Sequence, residues 1–330
     1  MSLKRNVPCL LAVLVVISMV FAACTPREPA EFPSRPIEVV IQFGAGGGSD
    51  LYIRAIAVDG ARILDQPVHP LSVTGGGGLP AWERFRTQSA DGYTLFGLGP
   101  EQIIQHNLGM IDLFADAEPL MRSQSDIFIY FARQDDARFP DIESVIAYAR
   151  ANPGMLTLAG TFPASFDEIH VSLFAYEHGL NINYVPYSSA SEAFAAVLGG
   201  HVDILGEEIG PAIGLVEAGN LRPLIAFIDM DRVDHPALYG VPTSQSLGWS
   251  HGLSMGRWRG LAVPRGTPAD VKATLVRAFQ QAHGLEFYVN FERDNLLDIR
   301  PGFMGTAEFT QFVRNEIELY GRIMDVVGMR

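Results

Sequence analysis

The chain has little cysteine, too few basic residues to balance its acids, and no long apolar run after its first two dozen residues. Cysteine occurs only at Cys9 and Cys24 of 330 residues. Basic residues number 24 against 37 acidic. Residues 1–23 hold Lys4, Arg5 and no acid, so removing those two bases leaves 22 against 37, a net charge of −15. Such a surface repels nucleic acid and anionic lipid headgroups, and both are excluded as partners.

What is present begins with an address. In "MSLKRNVPCLLAVLVVISMVFAACTP", Lys4 and Arg5 precede an apolar run from Leu10 to Phe21, followed by Ala22, Ala23 and Cys24. This is the layout of an export signal over residues 1–23. The run is shorter than the roughly 20 residues of a comfortable membrane span. "FAAC" resembles the lipobox of bacterial lipoproteins, so Cys24 is the expected lipidation site. Cleavage would discard Cys9, leaving no thiol for a disulfide or redox site. Residues 24–33, rich in proline, read as a tether. The expected product is an extracytoplasmic, monomeric body on a lipid anchor. Its only contact with the membrane is that anchor, and its length suits two domains.

The body reads as alternating strands and helices. "RPIEVVIQF" alternates Ile37, Val39, Ile41 and Phe43, and "GAGGGSD" turns it into the helical "LYIRAIAVDGARIL". Strand-like "QPVHPLSVT", helical "WERFRTQSA" and strand-like "DGYTLFGLG" continue a pattern that predicts a parallel sheet with covering helices. The middle repeats the grammar. Strands are expected at "DIFIYFA", "MLTLAG", "INYVPY" and "HVDILGEEIG", with the last ending in an acidic loop. "DIESVIAYARANPG", "IHVSLFAYEHG" and "SSASEAFAAVLGG" read as helices, the last with a Ser189–Glu192 capping box. After the strand "RGLAVPRGTP", a final helix places Phe309, Phe312, Val313, Ile317, Tyr320, Met324 and Val327 on one stripe. The predicted fold is α/β with two lobes, each a mostly parallel sheet flanked by helices, and a ligand cleft between them. Residues 34–125 and 256–330 would form lobe 1, and residues 126–255 lobe 2.

Several chemical motifs fail on inspection. "FGAGGGSD" lacks the lysine of a phosphate loop, and Ser49 stands where a dinucleotide fingerprint needs glycine. "GLSMG" matches a nucleophile elbow around Ser254, but polar "SLGWSH" precedes it where a buried strand is required. Asp167, Glu168, His170, Glu177 and His178 sit close in sequence, a spacing common on exposed helix faces and weak as a metal site. No catalytic residue, metal or cofactor is expected.

From "FPSRPIEVVIQFGAGGGSDLYIRAIA" onward the chain resembles the solute-binding subunits of tripartite tricarboxylate transporters, the Bug-type receptors. The landmarks are "PSRPI", the glycine loop ending in Asp50, "DGYTL", "NPGMLTLAG", "VPYSSASEAFAAVLGGHVDIL", "GNLRPL", "VPT" and "WRGLAVPRGTPADV". The resemblance implies two lobes that close on a small organic solute, usually a carboxylate, and hand it to large and small membrane subunits. It implies that Gly44, Ala45, Gly46, Gly47, Gly48, Ser49 and Asp50 cup the ligand, partly through backbone N–H groups. Opposite them it implies the loop Thr161–Glu168, with Thr161, Ser165 and Asp167, and the turn at Tyr187, Ser188 and Ser189. Glycines that expose N–H groups before a helix suit that role.

Three expected cleft loops carry acids that depart from the family's pattern, which favours small hydroxyl residues in the first two and Asp or Asn with prolines in the third. They are the loop of Gly99 and Glu101, the loop of Asp167, and the loop of Glu207 and Glu208. Like charges a few ångströms apart in a desolvated cleft cost kilocalories. Either these acids turn to solvent, or the ligand carries a positive group such as an amine. A sensor feeding a membrane signalling kinase would use the same cleft, and a secreted hydrolase using Ser254 is the enzymatic alternative.

Overall fold

The alternating stretch after Arg35 forms β1 (Ile37–Ile41), in which every residue but Glu38 is buried. Here and below, the structure is a computed structural model that describes residues 31–330; the export signal and Cys24 lie outside the described residues. Arg35–Arg330 form one unit. The chain runs from β1 through α1 (Gly48–Leu64), β2 (Val68–Ser72), α2 (Leu79–Arg86), β3 (Thr94–Leu98), α3 (Pro100–Asn107) and the single turn α4 (Leu113–Asp116) into β4 (Ala117–Ser125).

At Ser125 it leaves the first sheet. It then builds β5 (Phe128–Arg133), α5 (Ile142–Ala151), β6 (Thr157–Thr161), α6 (Phe166–His178), β7 (Asn183–Tyr187), α7 (Ala190–Leu198), β8 (Ile204–Glu208), α8 (Ile209–Glu217) and β9 (Leu221–Phe227). It returns through β10 (Trp258–Pro264), followed by α9 (Ala269–His283), α10 (Glu286–Asp294) and α11 (Thr306–Val327).

The sheets have the orders β2-β1-β3-β10-β4 and β7-β6-β8-β5-β9. In each, three strands run parallel and are joined by helices, as parallel pairing requires. One strand in each sheet runs antiparallel to both its neighbours, β10 in the first and β5 in the second. Each is the first strand laid down after the chain crosses the junction between the sheets, so the two lobes share one plan. That junction is where the acids and arginines described below converge.

Aromatic packing fixes each lobe. Trp82, Phe85 and Phe96 form a triangle with ring centroids 5.2–5.3 Å apart beside the first sheet. In the second lobe Tyr130 and His170 pack on Phe227 at 4.6 and 4.2 Å. Phe309, Val313, Tyr320 and Met324 of α11 are fully buried, while Phe312, Ile317 and Val327 pack on that core from partly exposed positions. The expected stripe of α11 is therefore the face it buries.

Candidate functional site

The glycine loop between β1 and α1 is shaped by its own helix. Gly46 adopts φ +85°, a conformation that favours glycine. Its N–H donates to Asp50 Oδ2 at 3.0 Å, and Arg54 Nε donates to the same carboxylate at 2.9 Å. Gly47 caps α1 without a side chain, so the first N–H groups of the helix are met by no capping oxygen. Across from this loop lie Thr161 at the end of β6, Ser189 and Ala190 at the start of α7, and Glu207 near the end of β8. Two helix N-termini, each with a partial positive charge, thus flank one gap. Its free volume is about 20 Å³, room for roughly one water. A larger solute requires the walls to part.

The floor of the gap is charged. Arg257 Nη2 lies 2.5 Å from Asp167 and 3.7 Å from Glu101, and its Nε lies 3.2 Å from Glu208. Arg259 pairs with Asp126 and with Glu208, the latter at 2.7 Å, and its Nε donates to Ser49 Oγ at 2.8 Å. All six charged side chains are buried. These pairs tie the first sheet's returning strand to α6 and β8 of the second.

Burial disfavours the ionised form of each carboxyl, and the arginines decide which ones ionise. For Glu208 burial is outweighed by Arg257 and Arg259, which hold it well below the usual carboxylate range. Glu207, buried beside that charge, is pushed far up. Burial also raises Glu101, opposed by Arg257. It raises Asp167, opposed by Arg257 and by two donors of Thr161 at 2.7 and 2.8 Å. Asp126 is pushed up to about 7 by burial, against Arg259. Both guanidiniums stay charged because the carboxylates around them outweigh their own desolvation.

Beside the gap, and sharing Phe43 with it, is a larger cavity of about 230 Å³. It lies between Gln42, the Gly76–Leu79 turn and α3 on one side and the Phe162–Ser165 loop on the other. Phe43 and Phe162 both line it and pack against each other, with ring centroids 5.8 Å apart.

The structure gathers most of the residues singled out from sequence, with corrections. Gly44, Ala45, Gly47, Gly48, Ser49, Thr161 and Glu207 line the gap, and Glu101 and Ser165 line the cavity. Asp50 does not; its carboxylate is committed to the loop N–H and Arg54. Gly99 caps α3, where its N–H donates to Gln102. Tyr187 ends β7, and its carbonyl accepts the N–H of Phe162.

The expected acidic loops are not loops. Glu207 and Glu208 are the last residues of β8, Asp167 lies in the first turn of α6, and Glu101 in the first turn of α3. None turns to solvent. The Ser189 capping box is half formed: Ser189 Oγ accepts from Glu192, whose carboxylate takes the N–H of Ser188 instead. Ser254 sits in a short 3-10 turn with its hydroxyl against Ser244, not at an elbow. His170 spends both ring nitrogens, on Tyr130 and on the Leu253 carbonyl, and burial pushes it down to about 3.

Sequence reasoning missed Arg257, Arg259, Asp126 and Gln42. The signal was available in "GRWRG", two arginines at alternate positions of a strand between glycines.

Two α/β lobes joined by two chain crossings and facing a common gap define a two-lobed binding protein of the periplasmic class. The chain belongs to the family described as the tripartite tricarboxylate transporter family receptor, TctC, which it matches over residues 52–329. It is therefore a receptor, not an enzyme. It is 29% identical over 306 residues to the UPF0065 protein in the gbd 5′ region of Cupriavidus necator, covering 91% of this chain and 89% of that one. It is 27% identical to protein BugT of Bordetella pertussis, covering 98% and 99%. Among solved structures the fold matches MatC of Rhodopseudomonas palustris with bound malate, with TM-score 0.78, 24% identity and coverage of 90% and 100%. It also matches an adipate-bound protein of R. palustris, with TM-score 0.81, 22% identity and coverage of 90% and 99%. No helix among the described residues is long and apolar enough to cross a membrane.

Proposed function

We propose that this chain captures a small organic solute between its lobes outside the cytoplasm and delivers it to the membrane subunits of a tripartite tricarboxylate-type transporter. The observation that carries the reading is the gap itself, in which bare glycine backbone and two helix N-termini converge from both lobes. Such a frame suits one carboxylate of the solute, held by N–H groups. Malate and adipate, bound to the two structural neighbours, are carboxylates. Gly44–Ser49, Thr161, Ser189 and Glu207 are the proposed contacts, and lipid at Cys24 is the proposed anchor.

A thermal-shift panel of dicarboxylates, amino acids and amines tests capture. A solute that binds only the folded chain at one hundred times its Kd adds about 2.7 kcal/mol of stability. The hit should also lose uptake in cells when this chain is deleted. A panel without a hit, or uptake that survives the deletion, would refute the proposal. Cys24→Ala should shift the protein from the membrane to the soluble fraction; unchanged membrane association would remove the anchor from the account.

A further inference from the structure

The 230 Å³ cavity is built unlike the gap. Phe43, Leu79, Leu108, Met110, Phe162 and Pro163 make its walls largely apolar. Among the described residues, no Lys, Arg or His lines it. Its polar side chains are already engaged. Gln42 Nε2 donates to Glu101 and its Oε1 accepts from Gln102, while Gln105 Nε2 donates to the Gly77 carbonyl at 2.6 Å. Ser165 Oγ accepts the Glu168 N–H and meets the Tyr184 hydroxyl. Glu101, the one acid of the lining, also faces Arg257 at 3.7 Å. In the Gly76–Gly78 turn, the Gly78 N–H donates to the Gly75 carbonyl, and Gly76 and Gly77 are exposed to solvent.

These walls select by exclusion. A carboxylate buried among them would lose its water and find neither a cation nor a free side-chain donor. An ammonium would find no free carboxylate, because Glu101, Asp167 and Glu208 face Arg257, and Asp126 faces Arg259. The acids of the site therefore call for no positive group on the ligand. What the cavity rewards is apolar surface. A cavity of about 150 Å³ admits benzene, so this one has room for a single ring with a short arm. Phe43 lines both the gap and the cavity, so one solute can occupy the two at once. The loop on the far wall is held in a costly shape, with Phe162 at φ +50° and Ala164 at φ +52°. Such strain concentrates at ligand clamps.

We infer that the captured solute is a monocarboxylate bearing one apolar ring on a short arm. Its carboxylate lies in the gap against the glycine loop, and its ring fills the cavity, packed on Phe43 and Phe162. The inference rests on the solute-capture reading and narrows it, from carboxylates at large to those with a single acid group.

The test is calorimetry of the purified chain with matched acids. Phenylacetate and malonate differ only in a ring exchanged for a second carboxylate, as do 3-phenylpropanoate and succinate. The tighter of the ring acids should bind at least tenfold more tightly than its diacid, and at least tenfold more tightly than its own uncharged amide. Phe162→Ala should weaken it at least tenfold, and Leu108→Trp, at a partly exposed position, should abolish its binding, both with native circular dichroism spectra. Ring acids no tighter than their diacids, an amide as tight as its acid, or indifference to both substitutions overturns the inference. Diacids binding beside silent ring acids would overturn it while leaving solute capture intact. Silence of every probe overturns it too, and solute capture is then decided by the thermal-shift panel with the ring acids added.

Discussion

Arg259 shows how closely single atoms are set at the floor of the gap. A Cβ added at Gly48 would stand 2.4 Å from its Nη2, and the guanidinium has nowhere to go while Asp126, Glu208 and Ser49 hold it. Gly48→Ala should cost about 1–3 kcal/mol through this overpacking, read as a lower urea midpoint at an unchanged slope. Arg257→Met removes the partner of Asp167 and leaves Glu208 with one cation. Breaking a buried pair from one side costs roughly 3–5 kcal/mol, so the urea midpoint should fall further than for Gly48→Ala. A smaller loss would mean that the pair is solvated.

Glu316, which accepts from Trp258 Nε1 at 2.9 Å, is pushed up to about 7 by burial. A carboxyl whose folded pKa is raised stabilises fully below its unfolded pKa, near 4.5, and loses that contribution as pH rises to 7. The slope is about 1.4 kcal/mol per pH unit. Melting temperature should therefore fall between pH 4.5 and 7, and Glu316→Gln should flatten the fall. An unchanged profile in the variant would place Glu316 in solvent.

At the scale of elements, the sequence was most legible where period and punctuation agreed. The β1–loop–α1 unit and the apolar face of α11 were both evident, because alternation and helical spacing are local properties. The ends of β8 and α6 were not. "ILGEE" reads as a strand running into a polar loop, yet Glu207 and Glu208 stay in the strand because both pair with β5, opposite Ile129 and Phe128, and Glu208 meets Arg257 and Arg259 from far along the chain. "TFPASFDE" reads as one loop, yet α6 begins at Phe166 because Ser165 caps it, accepting the Glu168 N–H. The glycine loop was singled out by the family resemblance, with which its backbone chemistry agrees; the arginine floor needed tertiary contact. Ser165→Ala should cost about 1 kcal/mol as a lost cap. Because Ser165 also meets Tyr184 and lines the cavity, the same change should weaken solute binding in calorimetry. A stability loss with intact affinity would assign Ser165 to the helix alone.

For the whole molecule, the chain crosses twice between the two sheets, which meet over a gap that admits about one water. Solute capture therefore needs motion of the lobes, and the Arg257–Asp167 and Arg259–Glu208 pairs are the links such motion must strain. The account holds that the solute is gripped from both lobes at once. Hydrogen exchange followed by mass spectrometry, with and without the solute found in the thermal-shift panel, tests that claim most directly. Saturation should slow exchange in peptides covering 43–50 of the first lobe and 161–166 of the second together, with the edge strand β2 unchanged. Protection confined to one lobe, or absent from both segments, would contradict it.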